Sequence, residues 1–378
     1  MRHTLRATLG LLAAAATAAA QPALAQPAAN PIRVGAVLSL TGPLAVAGQP
    51  ERDGIALAVK QVNAAGGVQG RPLEALIEDD ASSADGALSK TNNLVFNRQV
   101  RALLGSSGIA ATVAMGGITA TRKLPQLAFT GLGPAVERER PCVFHLTPAQ
   151  ELNARSLLEY AVRELKLRKL AILHDTGFGA PVAASLKALA GEYGVSFVGV
   201  EKVDLGATDA TPQAAKLRSA EPEAILVVAS SPTPFRSVRQ MKVTVPVIAA
   251  HPSAPYDVVK AMGDGAEGVV FADFLVAEEP LPHQQAFVDA FQKEYGRLPK
   301  NFDAVGFDAV QILVRALQKA GPDASGEALC TAMRSPQAGV LASYDLAAPD
   351  MGGLKVGSFV YSRYQNGKFS RLKYRSAP

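Results

Sequence analysis

The residue types able to do chemistry are few and scattered. Five histidines (His3, His145, His174, His251 and His283) and two cysteines (Cys142 and Cys330) show no spacing that would gather ligands round a metal. The acid run Glu78-Asp79-Asp80 could in principle move protons, but such a run after a strand more often forms a solvated loop, with Asp80 placed to cap the next helix. Gly263-Asp264-Gly265-Ala266-Glu267-Gly268 matches G-x-G-x-x-G. A dinucleotide site needs a strand before that motif and a helix after it; here a helical pattern precedes and the apolar run Val269-Val270-Phe271 follows, which makes it a helix-to-strand turn. No phosphate-binding loop, no G-x-S-x-G elbow and no H-E-x-x-H is present. His251 stands just past an apolar run, where an α/β sheet presents groups to ligands; it reads either as a ligand contact or as a hydrogen-bonded loop histidine. No catalytic residue, metal or cofactor emerges, so the chain reads as a binder rather than an enzyme.

The elements that would position such groups start after the amino terminus. Met1–Arg6 is basic, Ala7–Ala20 is apolar, and Ala23-Leu24-Ala25 is a small-x-small site, the pattern of a signal peptide cleaved after Ala25. That predicts a periplasmic, soluble mature protein, since no later run is long and uncharged enough to span a membrane. The chain has 378 residues, 48% hydrophobic and 19% charged, which favours two domains over one. Its excess of Lys and Arg is five and falls to three once Arg2 and Arg6 are removed, too small and too evenly spread for nucleic acid. Cys142 and Cys330 are expected as buried free thiols, with a disulfide as the alternative, because nothing in the sequence brings their segments together.

From Ile32 the chain alternates strands and helices. Strands are expected at 32–38, 73–78, 102–104 and 126–129, with helices at 51–64, 84–97 and 112–122 between them. The first helix carries the stripe Ile55, Ala58, Val59 and Val62, and Gly66-Gly67 ends it. After about residue 150 the pattern restarts: helices at 151–165, 180–193, 211–219 and 234–241 alternate with strands at 170–174, 195–200, 224–228 and 245–249. Further elements are expected at 256–262, 268–271, 283–295, 302–320 and 355–361, the first, third and fourth helical. Two consecutive parallel sheets, each covered by helices, follow from this α/β order, as close lobes without a flexible linker.

Several segments resemble the leucine/isoleucine/valine-binding proteins of ABC transporters: Ile32–Ala45, Gly48–Gly54, Val62–Arg71, Glu78–Ser82, Leu170–Asp175, Ala266–Gly268 and Phe302–Ala309, in that order and spacing. The resemblance spans nearly the whole mature chain. It implies the type I periplasmic-binding-protein fold: two doubly wound parallel-sheet lobes joined by three crossover strands, closing on a small ligand like a hinged trap. Lobe one would combine residues 31–145 with 275–355, and lobe two 146–274 with 356–378. The implied role is a monomeric periplasmic receptor that hands its ligand to membrane permease subunits of an ABC transporter. A sensor presenting solute to a signalling receptor is the alternative, and an exported hydrolase a more distant one.

The resemblance also implies a site. In the family's amino-acid binders a Ser/Thr-rich turn takes the ligand carboxylate and an acid in the second lobe takes its ammonium. Here the turns are Gly105–Thr112 (Ser106, Ser107, Gly108, Ile109, Thr112) and Phe129–Pro134 (Thr130, Gly131, Leu132). Ile109 falls where a ligand-binding serine is usual. Phe178 replaces a ligand-contacting tyrosine, and Ser230 and Ser231 lie where a second tyrosine is common. His251 aligns with the ammonium-binding acid, and Phe302 is expected beside it. A histidine cannot neutralise an ammonium, so the expected ligand is a small carboxylate: of the branched-chain amino acid class or, given His251 and Phe178, an aromatic or aliphatic acid lacking the ammonium.

Overall fold

A computed structural model describes residues 30–132, 139–349 and 352–376. The expected signal peptide and the end of the second turn, Gly133-Pro134, lie outside the described residues. The first sheet holds β1 (Ile32–Leu38), β2 (Leu73–Asp79), β3 (Leu103–Gly105), β4 (Gln126–Ala128) and β5 (Val143–His145). All are parallel, in the order β2-β1-β3-β4-β5. The second holds β6 (Lys169–Asp175), β7 (Ser196–Val203), β8 (Ala224–Val228), β9 (Val247–Ala250) and β10 (Val270–Asp273). These too are parallel, but a carboxyl-terminal hairpin of β13 (Val360–Gln365) and β14 (Lys368–Arg371) adds antiparallel strands at the β10 edge. Between them, β11 (Pro336–Ala338) and β12 (Ser343–Asp345) form a small separate hairpin.

Strand periodicity explains the layers. Along β1, Val34, Ala36 and Leu38 belong to the cluster that includes α1 (Ala45–Ala64), whereas Val37 faces α2 (Ala84–Asn92) and α3 (Ile109–Arg122). Along β6, Leu170 and Ile172 face α4 (Gln150–Leu158) and α5 (Gly179–Tyr193). Ala171 and Leu173 face the opposite way, toward α6 (Thr211–Ser219), α7 (Thr233–Gln240) and α8 (Tyr256–Met262). The chain then returns to the first sheet through α9 (Gln285–Tyr295), α10 (Asn301–Ala320) and α11 (Gly326–Met333).

Helix α10 lies against α1 at unusually close range. A Cβ on Gly54 would come within 1.8 Å of the Asp303 carbonyl oxygen, and one on Gly306 within 2.2 Å of the Glu51 carbonyl oxygen. Three connections pass between the sheets: β5 to α4, β10 to α9, and β12 to β13. Among the described residues no helix is long and apolar enough to cross a membrane.

Several expectations need correction. Cys142 and Cys330 are joined in a disulfide, with their Cα atoms 5.6 Å apart. The pairing spans 188 positions, because the first lobe is assembled from two distant stretches of chain, which no local pattern reveals. The last strand expected at 355–361 begins at Val360, since Val356–Ser358 coils into a 3-10 turn first. The acid run is not a solvated loop throughout: Asp80 is fully buried and accepts the hydroxyls of Ser39 and Ser106. Helix α2 is capped instead by Ser83, whose Oγ accepts the Gly86 N–H.

Candidate functional site

A cavity of about 510 Å³ opens where the carboxyl ends of β3 and β4 face those of β6, β8 and β9. Its wall includes eight of the residues singled out from sequence: Ser107, Gly108, Ile109, Thr130, Phe178, Ser230, His251 and Phe302. Five others are not on it. Ser106 and Thr112 are turned inward and fully buried. Thr112 Oγ1 accepts the Ser106 N–H and donates to the Ser106 carbonyl, each at 3.1 Å, so both residues close the turn. Gly131 lies against Ala149, and its carbonyl accepts the Gln150 amide at 2.6 Å. Leu132 and Ser231 stand outside the wall.

The first-lobe wall is built round the start of α3. Gly105, at φ +103°, turns the chain out of β3; a Cβ there would meet the Val37 carbonyl oxygen at 2.2 Å. Gly108 is the N-cap, and no side chain caps the helix. The first N–H groups of a helix have no partner within it, and they carry the positive end of its dipole. Ile109, Ala110 and Ala111, which carry those N–H groups, line the cavity, and such a helix start is a ready receptor for a carboxylate. Ser107 and Thr130 add hydroxyls beside them. Behind the turn, Ser107 Oγ accepts the Ser39 N–H at 3.1 Å and is hydrogen-bonded to the Glu51 carboxyl.

The second-lobe wall is largely aromatic. The His251 ring lies edge-on to Phe178, Phe274 and Phe302, with centroids 5.6, 5.7 and 6.2 Å away. Only 5% of the residue is exposed, and burial pushes its pKa down to about 3, so the imidazole is neutral at any physiological pH. Neither ring nitrogen has a hydrogen-bond partner among the described residues; one is left to donate and the other to accept. Helix α10 holds His251 by its backbone, since Asn301 Nδ2 donates to the His251 carbonyl at 3.1 Å and to Asp273 at 2.8 Å.

The acid behind Ser230 on the second-lobe wall is already engaged. Asp175 accepts the backbone N–H groups of Gly177, Gly179 and Ser230 at 3.0, 2.7 and 2.8 Å. Burial raises its carboxyl above the ordinary range even though those three donors pull it down.

Sequence reasoning missed much of the wall. Leu44 and Val46 enter from the loop and first turn before the expected start of α1, Thr147 and Gln150 from the first crossing, and Leu205 from the end of β7. Leu44 falls in the Ile32–Ala45 stretch already notable for its resemblance, whereas Val46 lies just beyond it; the others are brought in only by the three-dimensional path. Among the described residues the wall contains no Asp, Glu, Lys or Arg. Carboxyl groups stand one layer back, at Glu51 and Asp175, each engaged by the wall itself. Among the described residues no group of three or more His, Cys, Asp or Glu side chains is placed to hold a metal.

Residues 31–350 match the family model described as periplasmic binding protein. The leucine-, isoleucine-, valine-, threonine-, and alanine-binding protein of Pseudomonas aeruginosa is 24% identical over 313 residues, covering 82% of this chain and 83% of that protein. Leu/Ile/Val-binding protein homolog 3 of Brucella melitensis is 24% identical over 349 residues, 90% and 94% of the two chains. Among solved structures, the branched-chain amino acid transporter substrate binding protein LivJ of Streptococcus pneumoniae, in complex with isoleucine, superposes with a TM-score of 0.81 at 22% identity, covering 90% of this chain and 97% of that one. A leucine binding protein LivK of Thermotoga maritima gives 0.80 at 18% identity, covering 91% and 99%.

Proposed function

This chain belongs to the periplasmic binding protein family, of the branched-chain amino acid ABC transporter type, and within it we propose a receptor for apolar carboxylates that lack an α-ammonium group. Proteins of this type bind small ligands and work with membrane permeases. Lobes of residues 31–145 with 275–355 and 146–274 with 356–378 would close on the ligand, in the periplasm after loss of residues 1–25. The ligand docks on the N-terminus of α3, Ser107 and Thr130; the second lobe then brings Phe178, Ser230 and His251 over it. Closure is favourable because the ligand touches both lobes; one that touched a single lobe would shift nothing.

One observation carries this reading: among the described residues the wall has no charged side chain, and its one titratable group of acid–base interest, His251, is held neutral. A carboxylate entering the cavity meets the free N–H groups and dipole of α3. An ammonium entering the same cavity meets hydroxyls, the Gln150 amide, aromatic rings and an uncharged imidazole, but no carboxylate among the described wall residues. Leaving that charge buried without a counter-charge costs about 3 kcal/mol or more, roughly a hundredfold in affinity. The aliphatic and aromatic lining from Leu44, Val46, Ile109, Phe129, Phe178 and Phe302 fits an apolar ligand body. The volume lies within the roughly 300–1,000 Å³ usual for small-molecule sites.

The relatives named for leucine, isoleucine and valine supply the opposing expectation, which a thermal-shift screen of matched pairs decides: leucine against 4-methylpentanoate, phenylalanine against 3-phenylpropanoate, with benzoate added. A ligand at 100 times its Kd adds about 2.7 kcal/mol, enough to raise Tm by a few degrees. Shifts confined to the acids without an ammonium support the reading; shifts confined to the amino acids overturn it.

A further inference from the structure

Glu51 sits on α1 with no exposed surface, sealed by the close approach of α10. One carboxyl oxygen is hydrogen-bonded to Ser107 Oγ; the other, Oε1, has no partner at all. No cation faces it. From α10 comes Asp303, already paired with Arg297 at 2.8 Å. From the end of β2 comes Asp80, which accepts Ser39 Oγ, Ser106 Oγ and the Ser82 N–H. On α1 itself Arg52 and Asp53 pair with each other at 2.8 Å, and Lys300 is paired with Asp257. An ionised carboxylate there would be buried between two other acids with one oxygen bare. A carboxylic acid instead uses its proton on Ser107 and leaves only a neutral carbonyl unpaired, which is far less costly.

We propose that Glu51 is a positioning residue, held as the carboxylic acid, whose proton goes to Ser107 Oγ so that the Ser107 hydroxyl turns its own proton into the cavity toward a ligand carboxylate. Ser107 Oγ has the capacity for this. It accepts the Ser39 N–H and the Glu51 proton on its two lone pairs and keeps one O–H to give. When Glu51 loses its proton the roles reverse: Ser107 must donate to the new carboxylate, and it faces the ligand with a lone pair. A negative charge also appears behind the anion site. Ligand affinity therefore falls at alkaline pH, and ligand binding draws a proton onto Glu51. Burial first, with Asp80 and Asp303 adding repulsion against the pull of the Ser107 bond, pushes the Glu51 pKa up to about 8, which sets where the loss begins. His251, titrating near 3, lies outside that window.

This rests on the cavity being the ligand site, but not on which carboxylate it prefers. The test is titration calorimetry with 4-methylpentanoate between pH 6.5 and 9, or with leucine should only leucine bind, in buffers of different ionisation enthalpy. Kd is expected to rise about tenfold per pH unit above Glu51's pKa, with net proton uptake on binding. Glu51→Gln, whose amide still donates to Ser107, and Glu51→Met, which donates nothing, should both flatten the profile; at pH 7 Glu51→Met should bind more weakly than Glu51→Gln. Infrared difference spectra of the free protein against Glu51→Gln should show a protonated carboxyl at neutral pH, and this decides the proton's place even if neither ligand binds. Bound ligand with a flat wild-type profile, a slope that survives in Glu51→Gln, or no protonated carboxyl would each overturn the role of Glu51. None of these would touch the ligand class, whose own failure is read from the leucine and 4-methylpentanoate pair.

Discussion

Replacing His251 by aspartate puts a carboxylate where the wall now presents a neutral ring. The side chain sits among Phe178, Phe274 and Phe302 and is shielded from solvent, but the cavity beside it is open to water until a ligand fills it. An effective dielectric of about 20 suits such a position, and an ammonium 4 Å from the new carboxylate then gains about 4 kcal/mol. Desolvating both groups takes back part of that, so the expected net gain for leucine is about 2 kcal/mol, roughly thirtyfold. For 4-methylpentanoate, which brings no cation, the same substitution leaves a second buried anion in the closed cleft, and its affinity should fall tenfold or more. The readout is the ratio of the two dissociation constants by titration calorimetry, wild type against His251→Asp. A circular-dichroism melt confirms that both proteins fold. A ratio that moves by less than tenfold in a folded variant would mean that His251 does not face the ligand's α-carbon, and the reasoning about the second-lobe wall would be wrong.

Other consequences can be checked as simply. Ala110→Trp, at an exposed position of the α3 N-terminus that makes no side-chain hydrogen bond, should abolish ligand-induced thermal shifts while leaving the unliganded Tm within about 2 °C; retained binding would move the site elsewhere. Reducing the Cys142–Cys330 disulfide, whose loop encloses the strands β6–β10, should cost about 2–4 kcal/mol of stability, seen as a lower Tm in dithiothreitol. An unchanged Tm in reductant with two titratable thiols already present would exclude the bond.

Glu51→Gln should also stabilise the unliganded protein, increasingly so as pH rises. The native state keeps a proton that the unfolded chain releases near 4.5, so wild-type stability is lost between pH 4.5 and 8. The Tm difference between variant and wild type should therefore grow from pH 5 to 8, following a stability difference whose upper figure is roughly 5 kcal/mol. A difference that does not change with pH would show Glu51 ionised in the native state.

Much of the fold is legible because its strands and helices are bounded by strong local signals. Ile32–Leu38, Thr211–Ser219, Ala224–Val228 and Tyr256–Met262 fall where apolar runs and stripes place them. What is not legible has physical reasons. Strand β5 is three residues long and continues no run of its own. Two further elements do carry local signals: the β13–β14 hairpin turns on Asn366-Gly367, both at positive φ (53° and 80°). Helix α11 likewise carries its Ser325 cap and the stripe Leu329, Cys330, Met333 in the sequence.

The site divides in the same way. His251 and Phe178 stand out because they break a pattern, and the structure sets their rings 5.6 Å apart on one wall. Ser106 and Thr112 have the same chemistry as Ser107 and Thr130, and only the path of the turn decides which hydroxyls face inward. Glu51 lies one turn before Ile55 on the buried stripe that continues through Ala58 and Val62. An acid on an apolar stripe marks a carboxyl that must be neutral or paired, and it was the one sequence clue to the layer behind the wall.

The most direct measurement is the pair of dissociation constants for leucine and 4-methylpentanoate with the purified wild-type protein near pH 7. The two ligands share carbon skeleton and carboxylate and differ by the ammonium alone. A wall without charge predicts that 4-methylpentanoate binds at least a hundredfold more tightly than leucine. Leucine binding as tightly or more tightly would contradict it, and would mean that the cavity supplies an ammonium partner in the closed state.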